Sequence, residues 1–152
     1  MKYKKGFTLI ELLVVIGILA ILLAITLIAI NPARQFGQAN NTKRRSDVLQ
    51  VLNAIHQYVA ENQGQLPAEV SGLVASTPTL FNSTNFPNLC GQLMTNYLPA
   101  LPTDPSLNLA NITDCAAVGG WNTGYNISRD AANRVTVSAP TTDNAAVISV
   151  TR

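Results

Sequence analysis

From Phe7 to Ile30 the chain runs 24 residues in which only Thr8, Glu11, Gly17 and Thr26 interrupt apolar side chains. As a helix this stretch measures about 36 Å, longer than the roughly 30 Å hydrocarbon core of a bilayer. Its apolar residues occupy every side of the helix, not one stripe, so it belongs in a membrane or in the middle of an assembly. The β-branched Val14, Val15, Ile16, Ile18 and Ile21 lower helix propensity slightly. In lipid, however, every peptide group must be bonded internally, and helix is the only single-segment solution. A cleaved secretory signal is the rival reading, since Lys2, Lys4 and Lys5 precede the run. The run exceeds the usual h-region and lacks a small-x-small cleavage site near its end, which favours a permanent helix. Charge counting leaves its orientation open, because Arg34, Lys43, Arg44 and Arg45 follow it closely.

The rest of the chain is different in kind. Of 152 residues 47% are hydrophobic and only 12% charged, enough to argue against disorder and for one modest domain. A net charge of +2 is too small to imply a nucleic-acid groove. Asn31-Pro32 closes the apolar run, and two outcomes are open: a kink, or a helix end with Asn31 capping a second helix that Pro32 begins. From Asp47 to Glu61, Val48, Val51, Leu52, Ile55, Tyr58 and Val59 recur at helical spacing, with Asp47, Gln50, Asn53, Gln57 and Glu61 opposite. This half should cover a globular core and stop near Asn62-Gln63-Gly64.

Glu11 is the residue that an ordinary anchor does not explain. A carboxylate near an apolar helix end costs about 1 to 3 kcal/mol on insertion scales, so it calls for a cationic partner. Lys2, Lys4 and Lys5 are one candidate, and a new α-amino group at Phe7, supplied by another chain, is the other.

Lys5-Gly6-Phe7-Thr8-Leu9-Ile10-Glu11-Leu12-Leu13-Val14-Val15-Ile16 resembles the class III leader junction of type IV pilins and of the pseudopilins of type II secretion. The resemblance implies a leader at residues 1–6, a prepilin peptidase that cuts after Gly6, and N-methylation of Phe7. It gives Glu11 the role of neutralising a neighbouring subunit's N-terminal amine during assembly. Opposite charges in a dry helix bundle attract strongly and are costly unpaired, so such a pair would set axial register. Losing three leader lysines would leave seven basic residues against eight acidic, moving the net charge from +2 to −1. The resemblance also implies an N-terminus in the cytoplasm, with the remainder outside the membrane. Pro32 is the expected place for a bend.

The expected fold is α+β, with an assembly helix over 7–30, an amphipathic continuation over 31–63 and a head over 64–152. Residues 64–123 should be loop-rich, since Gln63 to Asn111 holds six of the eight prolines, with a short helix around Leu89 to Tyr97. Residues 124–152 read as an antiparallel meander of three strands, Gly124–Arg129, Arg134–Ala139 and Ala145–Thr151, packing on Leu52, Ile55 and Val59. Cys90 and Cys115, the only cysteines, fall in the part placed outside the cytoplasm, where a disulfide is the natural reading and two free thiols the alternative. Asp104 and Asp114 are too few for a calcium cage, so no metal or other cofactor is expected. Lys43-Arg44-Arg45 reads as a contact for lipid headgroups or neighbouring subunits, or as a solvated helix face. Trp121 is either a core plug or a surface contact. His56 and Tyr58 read as structural.

Function follows as that of a filament subunit rather than an enzyme: there is one histidine, with no nucleophile motif, phosphate loop or carboxylate pair. The expected partners are further copies of the chain in a helical homopolymer, the peptidase, the membrane before assembly and, by resemblance, an assembly ATPase and a platform protein of the inner membrane. The final location would be an extracellular pilus or a periplasmic pseudopilus. A pseudopilin of a secretion or DNA-uptake system is the alternative. A DNA-binding or adhesive minor pilin is disfavoured by a head with only Arg129, Arg134 and Arg152 as cations after Gln63.

Overall fold

The computed structural model describes residues 6–94 and 96–152, and the chain divides into two compact units between Phe36 and Gly37. Lys2, Lys4 and Lys5, placed in the expected leader, lie outside the described residues, as does Thr95 within the segment expected to be a short helix.

The first unit is dominated by helix α1, Leu9–Ile30, in which no residue is buried. Thr8 caps it, and Asn31 ends it in a left-handed conformation with φ 47°. Helix α2, Pro32–Glu61, begins at once. Proline suits a first helical position because the amide it lacks would have had no intrahelical partner. The Asn31 side-chain oxygen accepts from the Arg34 N–H at 3.3 Å, so one residue closes α1 and caps α2.

In the second unit α2 presents Val48, Val51, Leu52, Ala54 and Ile55 to the core, with Tyr58 and Val59 half-buried beside them. Helix α3 (Ala68–Ser71), strand β1 (Thr79–Asn82), helix α4 (Leu89–Met94), a 3-10 turn (Pro105–Leu107) and strands β2 (Asn122–Arg129), β3 (Val135–Ala139) and β4 (Ile148–Thr151) complete the head. The sheet is antiparallel in the order β1-β2-β3-β4. Alternation places Thr123, Tyr125 and Ile127 of β2, Val135, Val137 and Ala139 of β3 and Ile148 of β4 inward against the helix. The fold is thus α+β, a long apolar N-terminal helix followed by a small head whose four-stranded sheet packs on α2.

Strand β1 is the element that the reading of 64–123 as loop missed. It is four residues long and carries a register irregularity between Leu80 and Asn82, so its alternation is too short to stand out beside Pro78 and Pro87. Its buried Phe81 meets Phe86 and Trp121 edge to face, with ring centres 5.4 and 5.2 Å apart. Trp121, 7% exposed, therefore plugs the core.

Cys90 of α4 and Cys115 form a disulfide with 5.7 Å between their α-carbons. In the chain-entropy model a closed loop of this size contributes about 3.5 kcal/mol. The bridge ties α4 to the 113–121 loop in the part of the head poorest in regular structure.

Candidate functional site

The junction at the N-terminus is built by one local motif. Gly6, Phe7 and Thr8 are exposed and precede the first helical residue, Leu9. The Thr8 N–H and hydroxyl donate to Glu11 Oε2 at 2.8 and 2.7 Å, and the Glu11 N–H donates back to Thr8 Oγ1 at 3.3 Å. This reciprocal capping box satisfies backbone donors that a helix start otherwise leaves open. Thr8 interrupts the apolar run for a reason that spacing carries: Thr8-Leu9-Ile10-Glu11 has the capping-box pattern. Glu11 therefore has a neutral local partner, which the expectation of a cationic one did not include.

Further along α1 the same economy holds. Thr26 Oγ1 donates to the Leu23 carbonyl at 2.9 Å, so both polar side chains between Leu9 and Ile30 are served from within a turn. A helix that is 22 residues long, apolar on all sides and internally satisfied meets the requirements of a bilayer span.

The head holds a second constellation, which the sequence did not announce. Arg44 is 1% exposed. Its Nε and Nη2 donate to the two carboxylate oxygens of Asp104 at 2.9 and 3.0 Å, and Nη1 reaches Asp143 Oδ2 at 2.6 Å and Asn41 Oδ1 at 3.0 Å. The Asp104 hydrogen bonds raise the guanidinium's already high pKa, against its burial. Burial opposes the charge on Asp104, but Arg44 and Ser106 outweigh it and hold the carboxyl below the ordinary carboxylate range. Beside this pair, Asp47 Oδ2 accepts from the Tyr125 hydroxyl and from Lys43 Nζ, both at 2.7 Å, and Lys43 also donates to the Thr103 carbonyl at 2.7 Å. Burial, then the Asp47 contact, pushes the Tyr125 phenol far up.

Two expectations are corrected here. The Lys43-Arg44-Arg45 cluster is not a uniform solvated or lipid-facing patch: Arg44 is a core residue, and Lys43 is tied to Asp47 and Thr103. Asp47, assigned to the polar side of α2, is buried at 5% exposure. A residue pattern shows the apolar stripe but not which flanking charges find partners 60 or more positions away.

The loop between β3 and β4 joins the same cluster. Asn41 donates to the Asp143 carbonyl at 2.7 Å and accepts from its N–H at 3.0 Å. A β-carbon on Gly37 would lie 2.8 Å from Asn144 Nδ2 and 2.9 Å from Asp143 Cβ. Gly37, Asn41 and Arg44 thus form one seat on α2, the first by lacking a side chain and the others by hydrogen bonding. Both carboxylate oxygens of Asp104 are engaged by Arg44, and Asp114 Oδ1 accepts from the Ala116 N–H at 2.8 Å.

His56 is half-buried, and burial, with Arg152 nearby, holds its imidazole below the ordinary value. Tyr58 meets Tyr97 edge to face at 6.4 Å, and the Tyr97 hydroxyl donates to Glu61 at 2.7 Å.

No curated protein and no solved structure matches the chain. Residues 1–27 do match a family model, the prokaryotic N-terminal methylation motif. That segment covers the Gly6-Phe7 junction, the capping box and most of α1, and with it the chain carries the class III prepilin leader of type IV pilins and pseudopilins.

Proposed function

We propose that the chain is a precursor of a pilus-like fibre subunit, held in the cytoplasmic membrane by α1 with its N-terminus inside. A prepilin peptidase cuts it after Gly6, Phe7 is N-methylated, and the subunits polymerise through α1 as a helical homopolymer. A cytoplasmic ATPase and an inner-membrane platform protein would drive extraction. The observation that carries this reading is the junction itself: an exposed, non-helical Gly6-Phe7 bond directly ahead of a capped apolar helix with a carboxylate in its first turn. Before cleavage Thr8 occupies Glu11 Oε2. A carboxylate has acceptor capacity beyond those two bonds, so a neighbouring chain's new amine can be received without dismantling the cap. Stems then exchange lipid contacts for stem contacts of similar polarity. A heterologous, non-closing interface turns that exchange into a fibre.

Two variants separate the charge from the cap. Glu11→Gln keeps the hydrogen-bonding side chain of a capping box but removes the negative charge, whereas Glu11→Ala removes both. Mass spectrometry of the mature N-terminus should show normal leader removal in both, while electron microscopy should show fibres lost in both. Normal fibre yield from Glu11→Gln would overturn the charge-pairing role.

A further inference from the structure

Immediately beyond α1, the character of the side chains changes within one turn. Inside α1 each polar side chain has a partner in its own turn. Arg34 is exposed and makes no ion pair among the described residues. Phe36, in the same unit, is 70% exposed. Lys43 and Arg44, by contrast, are already bound within the head.

Only the left-handed Asn31 separates Ile30 from α2, and Arg34 and Phe36 lie about 3 and 6 Å along α2 from its first residue. The headgroup layer of a bilayer is roughly 5 to 7 Å thick on each side. Long side chains on a helix lean toward its N-terminus, which here means back toward the span, so the ring of Phe36 can reach the glycerol level. Two positions along a helix are about 200° apart, so Arg34 and Phe36 stand on opposite sides. A protein partner docking along one stripe would not meet both, whereas a medium that surrounds the helix would.

From this geometry, and resting on the membrane-held precursor proposed above, we infer that Arg34 and Phe36 form an interfacial collar. Arg34 contacts the phosphate of an anionic phospholipid, and Phe36 seats at the acyl-glycerol boundary. Together they fix how deep the precursor sits before extraction. Basic side chains are favoured at anionic lipid surfaces, and Phe is among the apolar residues that interfacial helices seat at the headgroup-acyl boundary.

The test uses the full-length precursor in phosphatidylcholine vesicles with and without phosphatidylglycerol. The lipids carry bromine either near the glycerol end or near the methyl end of their acyl chains. Trp121, the only native tryptophan, gives the baseline, against which Phe36→Trp and Leu19→Trp are compared. Tryptophan at position 36 should be quenched by the shallow bromines and little by the deep ones, with the opposite pattern at position 19. Phosphatidylglycerol should strengthen shallow quenching at position 36, and Arg34→Gln should abolish that gain. Quenching at 19 but not at 36 would overturn the collar and leave the membrane-held precursor standing, and so would a blue-shifted, unquenched position 36 covered by protein. Absence of quenching at both would sink the precursor reading too. A gain from phosphatidylglycerol that persists in Arg34→Gln would overturn the role of Arg34.

Discussion

Helix α1 and the head-bound part of α2 are neighbours in sequence, yet they satisfy their polar groups over opposite distances. In α1 the capping box and the Thr26 bond each span three residues. In α2, Arg44 depends on Asp104 and Asp143, 60 and 99 positions away, and Asn41 on a loop 102 positions away. On the proposed function α1 passes from lipid into a fibre and carries its partners with it, whereas a segment that stays in one core can depend on the whole chain.

Four measurements would break or sharpen this contrast. Replacing Arg44 by methionine strands the Asp104 carboxylate in the core, where removing one partner of a buried pair costs about 3 to 5 kcal/mol. Denaturant unfolding of the full chain in detergent should show that loss, while the helicity of α1 persists. Titration probes the same contact from the other side. The lowered folded value of Asp104 means that the unfolded chain protonates first, so its contribution is complete above the ordinary 3.8 and lost as pH falls below it. His56, kept neutral by burial, adds an earlier loss as pH falls below its ordinary 6.5, and His56→Gln should remove that shoulder from a melting-temperature profile. Gly37→Ala forces the 143–144 loop off its seat and should cost about 1 to 3 kcal/mol, the range for overpacking, with hydrogen exchange rising first around Asp143. Thr8→Ala should have the smallest effect, about 1 kcal/mol of helix-start stability, visible as faster exchange near Leu9 and Ile10 and with no change in head unfolding. If Thr8→Ala weakened the head as much as Gly37→Ala does, the separation between local and distant satisfaction would fail.

The same contrast explains what could be read in advance. The apolar run, the α2 stripe and the C-terminal strands are periodic, so residues a few places apart reveal them. The strand ends shifted modestly: β2 begins at Asn122, and β4 only at Ile148. The capping box is legible too, in the three-residue spacing of Thr8 and Glu11, once a neutral partner is allowed beside a cation. Strand β1 was not, since four residues between prolines carry too little alternation. Nor was the burial of Arg44 and Asp47, because nothing near them in sequence names Asp104, Tyr125 or Asp143 as partners. Local order can be deduced from spacing, but a buried charge is decided by topology.

The distances that Arg44 spans also impose a timetable. A chain made from its N-terminus presents this guanidinium long before Asp104 and Asp143 have been synthesised. Until then Arg44 is a bare cation, whereas Lys43 finds Asp47 four residues on, and the seat of Arg44 closes only when the loop carrying Asp143 arrives. Full neutralisation of Arg44 therefore waits for the loop between β3 and β4.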